Sequence, residues 1–393
     1  MVTRCINPIP MNIFTDSAYE EGKAFYKYIE RTFFPLKNMI PIKKGDYYGP
    51  YKLIKRIDGG VYGDVWEAID TGPVPPPLPS SAPSPPSPPS PPLPSGPSST
   101  ASPLPSTPPP HPSPSTPPSP PLPSGPSSTA SRLPSSLPPP PSPPRKVAIK
   151  VQCNRKDSDI ESYLSAFAEL ECLHHFSGIE NVVQLLDAFY VDSTMFFVLE
   201  YCEKTLHQLF ITMKHDSNKE QVYKLIFKQI LQGLTEINRR GYMHLDIKPK
   251  NILIDSLGTV KICDFSISYR ISDIKEGGEY QTSWYRSPEA INNHLNGQFF
   301  KSTYNIGYNV DVWSIGCILY EGMTSGDILF RGEDSANMYN AINKSRYYEK
   351  DNLYINKRLS QFPILVDFIK TCLIYNNSKR PMAEQLLNHD FFK

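Results

Sequence analysis

Residues 242 to 254 read YMHLDIKPKNILI, and within them His244, Asp246, Lys248 and Asn251 are spaced as H-x-D-x-K-x-x-N. A hydroxyl is a poor nucleophile until a carboxylate orients it and takes its proton, and Asp246 supplies such a carboxylate. Five residues further on, the amide oxygen of Asn251 can reach a metal ion. That pairing suits transfer of a charged group to a hydroxyl. An isolated H-x-D is more often a polar loop between a helix and a strand, so the weight of this reading rests on what the remaining chain supplies.

The flanking elements must hold that loop in place. A helix is predicted over residues 219–240, with Val222, Leu225, Ile226, Ile230, Leu234 and Ile237 on one face and Gly241 as its cap. Upstream, YKLIKRI and VWEAID alternate as strands around the turn DGGVYGD, which predicts a hairpin with a glycine loop. Glycines in such a loop let backbone amides approach phosphate oxygens, although a tight hairpin needs glycine just as much. Val147 to Lys150 (VAIK) forms a further strand, FAELECLHHF a helix, and VVQLLDAFY and MFFVLEYC two more strands. Beyond residue 264 the chain reads as irregular to Glu289 and then mostly helical. The architecture expected is a small β-rich lobe followed by a larger helical one.

Two stretches stand outside this plan. Residues 1–47 form an extension whose only clear element is a helix from Ser17 to Phe34, opened by the capping box Ser17-Ala-Tyr-Glu20 and stopped by Pro35. Residues 73–144 are nearly all Pro, Ser, Thr, Leu and Ala, hold most of the 43 prolines and repeat PLPSGPSSTAS. A segment so poor in apolar surface cannot offset its ordering entropy, which predicts disorder with polyproline II character. Removing it joins AIDTG to RKVAIK across a short turn. Lengthening that turn costs about 2 to 3 kcal/mol of closure entropy, small enough to read the segment as a loop elaboration within one domain over residues 48–392.

Composition narrows the class. The 393 residues are 39% hydrophobic with formal charge +1, enough apolar content for a large core and no electrostatic footprint of a nucleic-acid or membrane-surface binder. Seven scattered cysteines without a CxxC pair fit reduced thiols. No apolar run approaches the roughly 18 residues of a membrane span, and MVTRCINPIPMNIF lacks a signal-peptide core. The expectation is a soluble intracellular protein, cytoplasmic or nuclear, with neither nucleic acid nor membrane as a partner.

With these motifs in order, the chain resembles a eukaryotic protein kinase across residues 51–392. The resemblance is carried by VAIK with Lys150, Glu169 in the next helix, HLDIKPKN, DFS at 264–266, SPE at 287–289, DVWSIGC at 311–317 and Arg380 before a final helix. It implies an α+β, bilobal protein-kinase fold with a β-rich N-lobe, a helical C-lobe and a disordered Pro-rich insert in the N-lobe. The implied activity is serine/threonine-specific transfer of the ATP γ-phosphoryl group, with ATP and Mg²⁺ as cofactors and proteins as substrates. Asp246 and Lys248 are then the catalytic pair, and Asn251 and Asp264 hold the metal. Lys150, paired with Glu169 and with Glu171 as a nearby competitor, binds phosphates. Ile57, Asp58, Gly59, Gly60, Val61, Tyr62, Gly63, Val65, Ala148, Leu199, Glu200, Cys202 and Leu253 surround the nucleotide, with Leu199 as gatekeeper and the backbone of Glu200 and Cys202 as the adenine hinge. Glu289 and Arg380 form a buried structural ion pair. TSWYRSPE, with Arg286, is similar to the cyclin-dependent, MAP and dual-specificity Tyr-regulated kinases.

Three departures from the family pattern bear on activity: Asp58 for a loop glycine, Leu245 for the arginine of HRD and Ser266 for the glycine of DFG. Leu245 cannot gather a phosphorylated loop residue, so activity is expected to be independent of phosphorylation at Ser272, Tyr280, Thr282 or Ser283, with Arg270 and Arg286 as the cations that would otherwise substitute. The alternatives are a catalytically silent kinase fold acting as a scaffold, or an adaptor that offers residues 73–144 to proline-binding domains.

Overall fold

The computed structural model describes residues 3–4, 7–9, 42–60, 63–72, 144–152, 160–191, 194–273, 281–294, 306–332, 334–347 and 353–393. The helix expected over 17–34, residues 61–62 of the glycine loop, the Pro-rich segment and Tyr280 lie outside them.

One antiparallel sheet dominates the N-terminal lobe. Its strands are β1 (Thr3–Arg4), β2 (Asn7–Pro8), β3 (Tyr47–Tyr48), β4 (Tyr51–Gly60), β5 (Gly63–Asp70), β6 (Arg145–Gln152), β7 (Leu185–Val191) and β8 (Thr194–Glu200), in the order β1-β3-β4-β5-β6-β8-β7-β2. Among the described pairings of this sheet, only the terminal β1–β3 pairing is parallel. Strand alternation divides the side chains between two faces. Val147, Ile149 and Val151 of β6 join Phe196 and Val198 of β8 in an outer core, whereas Ala148 joins Met195, Phe197 and Leu199 in the inner one. The register sets Lys150 opposite Phe197 and Ala148 opposite Leu199. Asp70 faces Arg145, so the strand ends flanking the Pro-rich segment are neighbours.

The N-terminal extension corrects one expectation. It carries short strands that the sequence did not suggest: β1 pairs with β3, β2 pairs with β7, and Ile9 is buried in the inner core. Such short strands carry no periodicity to read, because their stability comes from edges built elsewhere.

Helix α1 (Ile160–His175) crosses the inner face and buries Ala166, Phe167, Leu170 and Leu173. Then come α2 (Leu206–Thr212) and α3 (Lys219–Arg239). The buried face of α3 is Tyr223, Ile226, Phe227, Ile230, Leu231, Leu234 and Ile237. Leu225 is 65% exposed, which corrects its placement on that face. Gly241, at φ +86°, ends the helix in the left-handed conformation and turns the chain towards the loop 244–251.

That loop is bracketed by short strands. β9 (Lys204–Thr205), β11 (Ile252–Ile254) and β12 (Val260–Ile262) form one sheet, and β10 (Tyr242–Met243) pairs with β13 (Tyr269–Arg270). The C-terminal lobe continues with α4 (Pro288–His294), α5 (Val310–Met323), α6 (Ser335–Tyr347), α7 (Leu353–Leu359), α8 (Pro363–Cys372) and α9 (Ala383–Leu386). Every residue of α5 is buried, so it is the axis on which the others pack. No described helix is long and apolar enough to cross a membrane.

Candidate active site

A cleft of about 540 Å³ lies between the inner face of the sheet and the β11–β12 hairpin. Val65, Ala148 and Leu199 line one side and Leu253 the other, with Ile57 at the rim and Lys150, Asp264 and Asn251 among its polar groups. Glu200 and Cys202 also line it, and the Cys202 N–H has no partner among the described residues, leaving a donor for a ligand. The Glu200 carboxylate is engaged elsewhere, by the Gln184 N–H at 2.8 Å and by Lys261 at 3.1 Å.

The glycine loop divides. Asp58 lines the cleft, but its Oδ1 accepts from the Gly59 N–H at 2.8 Å, so the carboxylate is turned back onto the neighbouring amide. Gly59 lies beneath an Arg56–Asp64 ion pair of 2.8 Å that spans the hairpin, and a Cβ there would overlap the guanidinium. Gly63, at φ +141°, passes so close to the Val151 carbonyl that a Cβ would approach its oxygen to 2.1 Å, which makes sheet packing a sufficient reason for this glycine. Gly59 and Gly63 do not line the cleft.

At the inner end, Lys150 Nζ donates to Glu169 Oε1 at 2.6 Å, to Glu169 Oε2 at 2.7 Å and to Asp264 Oδ1 at 2.8 Å. Glu171, the competitor, instead takes Arg270 at 3.6 Å and the Tyr242 hydroxyl at 3.4 Å. Two residues apart on a helix means about 200°, so the two carboxylates flank the buried face on opposite sides and only one can meet Lys150; the packing of α1 turns Glu169 to it. One ammonium is thus shared by two carboxylates. Burial alone would lower Lys150, but Asp264 and Glu169 together hold it well above the usual lysine range. Burial also opposes ionisation of Asp264, yet Lys150 outweighs it and brings the carboxyl down to about 2. Glu169 moves the other way, pushed up to about 7 by burial with Asp264 adding to it, against Lys150.

Asp246, Lys248, Asn251 and Thr282 converge beside this triad. Asp246 Oδ2 receives Lys248 Nζ at 2.6 Å and Asn251 Nδ2 at 3.0 Å, and Oδ1 receives the Thr282 hydroxyl at 2.6 Å. Lys248 also donates to Thr282 Oγ1 at 3.2 Å. Asn251 Nδ2 is further bonded to the Asp246 carbonyl, which turns the amide oxygen to the opposite side. Leu245 sits at φ +64°, and this uncommon conformation is held by Asp311, whose carboxylate accepts the N–H groups of His244 and Leu245 at 2.9 and 2.8 Å. His244 Nδ1 accepts from the Asp246 N–H, leaving Nε2–H for the Cys263 carbonyl.

Packing joins the parts. Tyr242, Phe176, Phe265 and His244 form a chain of ring contacts at 5.3, 5.0 and 5.0 Å, linking the end of α1 to the loops that carry Asp264 and Asp246. Ser165 of α1 donates to the Ser266 carbonyl at 3.0 Å, and Ser268 to the His244 carbonyl at 3.0 Å. Leu245 is buried with Met243, Ala290, Ile306 and Val310. The two cations considered as substitutes are engaged: Arg270 by Tyr242 and Glu171, and buried Arg286 by the Gln281 carbonyl. Asp311, Ser165 and Gln281 were assigned no role from sequence. Asp311 carried a signal, since a carboxylate in the first turn of a largely apolar, fully buried helix must find donors.

A match to the protein kinase domain covers residues 142–392. The chain belongs to the protein kinase family. It is 31% identical over 249 residues to mitogen-activated protein kinase HOG1 of Phaeosphaeria nodorum, covering 57% of this chain and 66% of that protein. Against mitogen-activated protein kinase 12 of Homo sapiens it is 30% identical over 277 residues, covering 63% and 71%. Against the same-named kinase of Rattus norvegicus it is 35% identical over 205 residues, covering 51% and 52%. The chain is therefore a eukaryotic-type protein kinase with a resemblance to MAP kinases, and its α+β, two-lobed fold is the one the motifs implied.

The donor set suits Mg·ATP. Lys150 is a buried cation at the inner end of the cleft, and Asp264 with the Asn251 amide oxygen offers a hard cation two oxygen donors. Among the described residues no group of three or more His, Cys, Asp or Glu side chains is placed to hold a metal ion by itself.

Proposed function

We propose that this kinase is a serine/threonine protein kinase that transfers the γ-phosphoryl group of Mg·ATP to protein hydroxyls. The observation that carries the reading is the convergence of Asp246, Lys248, Asn251 and Thr282 within hydrogen-bond distance of one another beside the Lys150–Asp264 pair. When bound, Mg·ATP supplies the phosphoryl group and the cation that neutralises its charge. Asp264 and Asn251 would hold the metal, and Lys150, braced by Glu169, would hold the α and β phosphates. Asp246 Oδ1 already accepts one hydroxyl, that of Thr282, and on this reading it orients the acceptor hydroxyl and takes its proton. Lys248 would remain beside the transferred group. Apolar Val65, Ala148, Leu199 and Leu253 would enclose the base, with Glu200 and Cys202 at the hinge.

The test is transfer of labelled phosphate to a generic protein, followed by phosphoamino-acid analysis. Label on serine or threonine is expected, and Asp246→Asn should lower kcat by about 10² to 10⁴ without unfolding the protein. Label confined to tyrosine, or equal rates in the two proteins, would reject the assignment. On the same proposal the kinase domain runs over residues 48–392 with 73–144 inserted, supported by the Asp70–Arg145 register. A chain with Gly72 joined directly to Arg145 should then keep the wild-type rate.

A further inference from the structure

Gln281 is 4% exposed, carries no charge and sits at φ +65°, a conformation that residues other than glycine rarely adopt. Its side chain is fully used. Nε2 donates to the Val310 carbonyl at 3.1 Å and to Ser314 Oγ at 2.9 Å, and Oε1 accepts the Ser287 N–H at 2.8 Å. Its carbonyl accepts Arg286 Nη2 at 2.8 Å and Nε at 3.2 Å. Ser314 passes the connection on, donating to the Tyr285 carbonyl at 2.9 Å. The turn from Gln281 to Ser287 is therefore closed on itself and on the first turns of α5. That helix also carries Asp311, which holds the catalytic loop at His244 and Leu245.

The residue after Gln281 is Thr282, whose hydroxyl reaches Asp246. One buried helix thus sets both partners of the Thr282–Asp246 contact, the carboxylate through Asp311 and the threonine through Gln281. We propose that Gln281 is a positioning residue for the protein substrate: a neutral, buried amide that holds the turn 282–287 against Asp246, so that this surface is ordered without a phosphate in the segment 264–289. Ordering by phosphate works through charge-assisted bonds to nearby cations. Here Leu245 supplies none, and the Arg286 guanidinium is bonded to the Gln281 carbonyl itself. The proposal rests on the reading of Asp246 as the base in protein phosphorylation, and its test separates the two.

Gln281→Leu keeps the volume and removes all three side-chain bonds, and Ser314→Ala removes one acceptor. Both are compared with wild type for peptide kinetics, for nucleotide affinity by equilibrium binding, for Tm, and for amide hydrogen exchange in residues 282–287. Misplacement of a substrate surface by about 1 Å can cost roughly 10²-fold, so Gln281→Leu should lower kcat/KM for the peptide by about that factor while nucleotide affinity stays unchanged within error. Ser314→Ala should show the same pattern more weakly, exchange in 282–287 should quicken in both, and phosphatase treatment of wild type should leave its rate unchanged. Unchanged peptide kinetics and exchange in Gln281→Leu would overturn the proposal. So would parallel loss of peptide turnover, nucleotide affinity and Tm, the mark of general damage, or a rate in wild type that falls more than about tenfold on dephosphorylation. If wild type transfers no phosphoryl group at all, the functional reading fails and hydrogen exchange alone decides: 282–287 equally protected in Gln281→Leu and wild type would sink the positioning role.

Discussion

Lys150–Glu169 and Arg380–Glu289 both close at 2.6 Å between buried side chains, but their surroundings differ. The Arg380 guanidinium meets both Glu289 oxygens, adds the carbonyls of Ile374, Tyr375 and Asn309, and lies 5.1 Å from the Trp313 ring centre. The pair is saturated by groups that do not face the cleft. Lys150 instead divides its donors between Glu169 and Asp264, and Asp264 opens onto the cleft. A saturated pair has one arrangement, so it can fix the fold. A shared ammonium has two, and a cation or phosphate arriving in the cleft can redistribute it.

That contrast predicts opposite outcomes for the same type of substitution. Arg380→Met leaves Glu289 buried and unpaired and should cost about 3 to 5 kcal/mol of stability, read from the denaturant midpoint. Lys150→Met should lower phosphoryl transfer by about 10² to 10³ and destabilise less, because Glu169, already pushed up to about 7, can take a proton. Equal destabilisation by the two would remove the distinction.

A pH series sharpens it. Glu169 lies above its ordinary 4.5 in the folded protein, so the folded state binds that proton more tightly than the unfolded chain. Its contribution to stability is fully present below pH 4.5 and lost as pH rises through about 7. The stability of wild type relative to Glu169→Gln should therefore decline across that interval, whereas Asp264, held at about 2, contributes above its ordinary 3.8 and loses that contribution only as pH falls through about 2. A flat difference between wild type and Glu169→Gln would mean that one ammonium satisfies both carboxylates.

The smallest effect is expected at Asp58, a cleft carboxylate bonded to an N–H and exposed to solvent. Asp58→Gly frees the Gly59 amide and removes a charge, and should lower the KM for ATP on the order of two- to five-fold, within the range of exposed charges. An unchanged KM would show that Asp58 carries no weight in nucleotide binding.

The chain's own sequence determined whatever depends on spacing within one element or one loop. His244, Asp246, Lys248 and Asn251 share eight residues, and the alternation of β6 turns Ala148 and Lys150 to one face and Val147, Ile149 and Val151 to the other. The seven ordered motifs carried the α+β kinase fold for the same reason. Tertiary structure decided the identity of non-local partners. Which glutamate meets Lys150 depends on how α1 is rotated against the sheet, and Leu225 falls outside the buried face because α3 packs through Tyr223, Phe227 and Leu231. The terminal strands exist only because edges formed by distant residues accept them. Gln281 carries no periodic or charge signal, since an amide announces nothing until its donors and acceptor find Val310, Ser314 and Ser287. Local geometry repeats along the chain and can be read from it; the partner of a buried polar group is set by chain folding across tens of residues, and no local pattern encodes it.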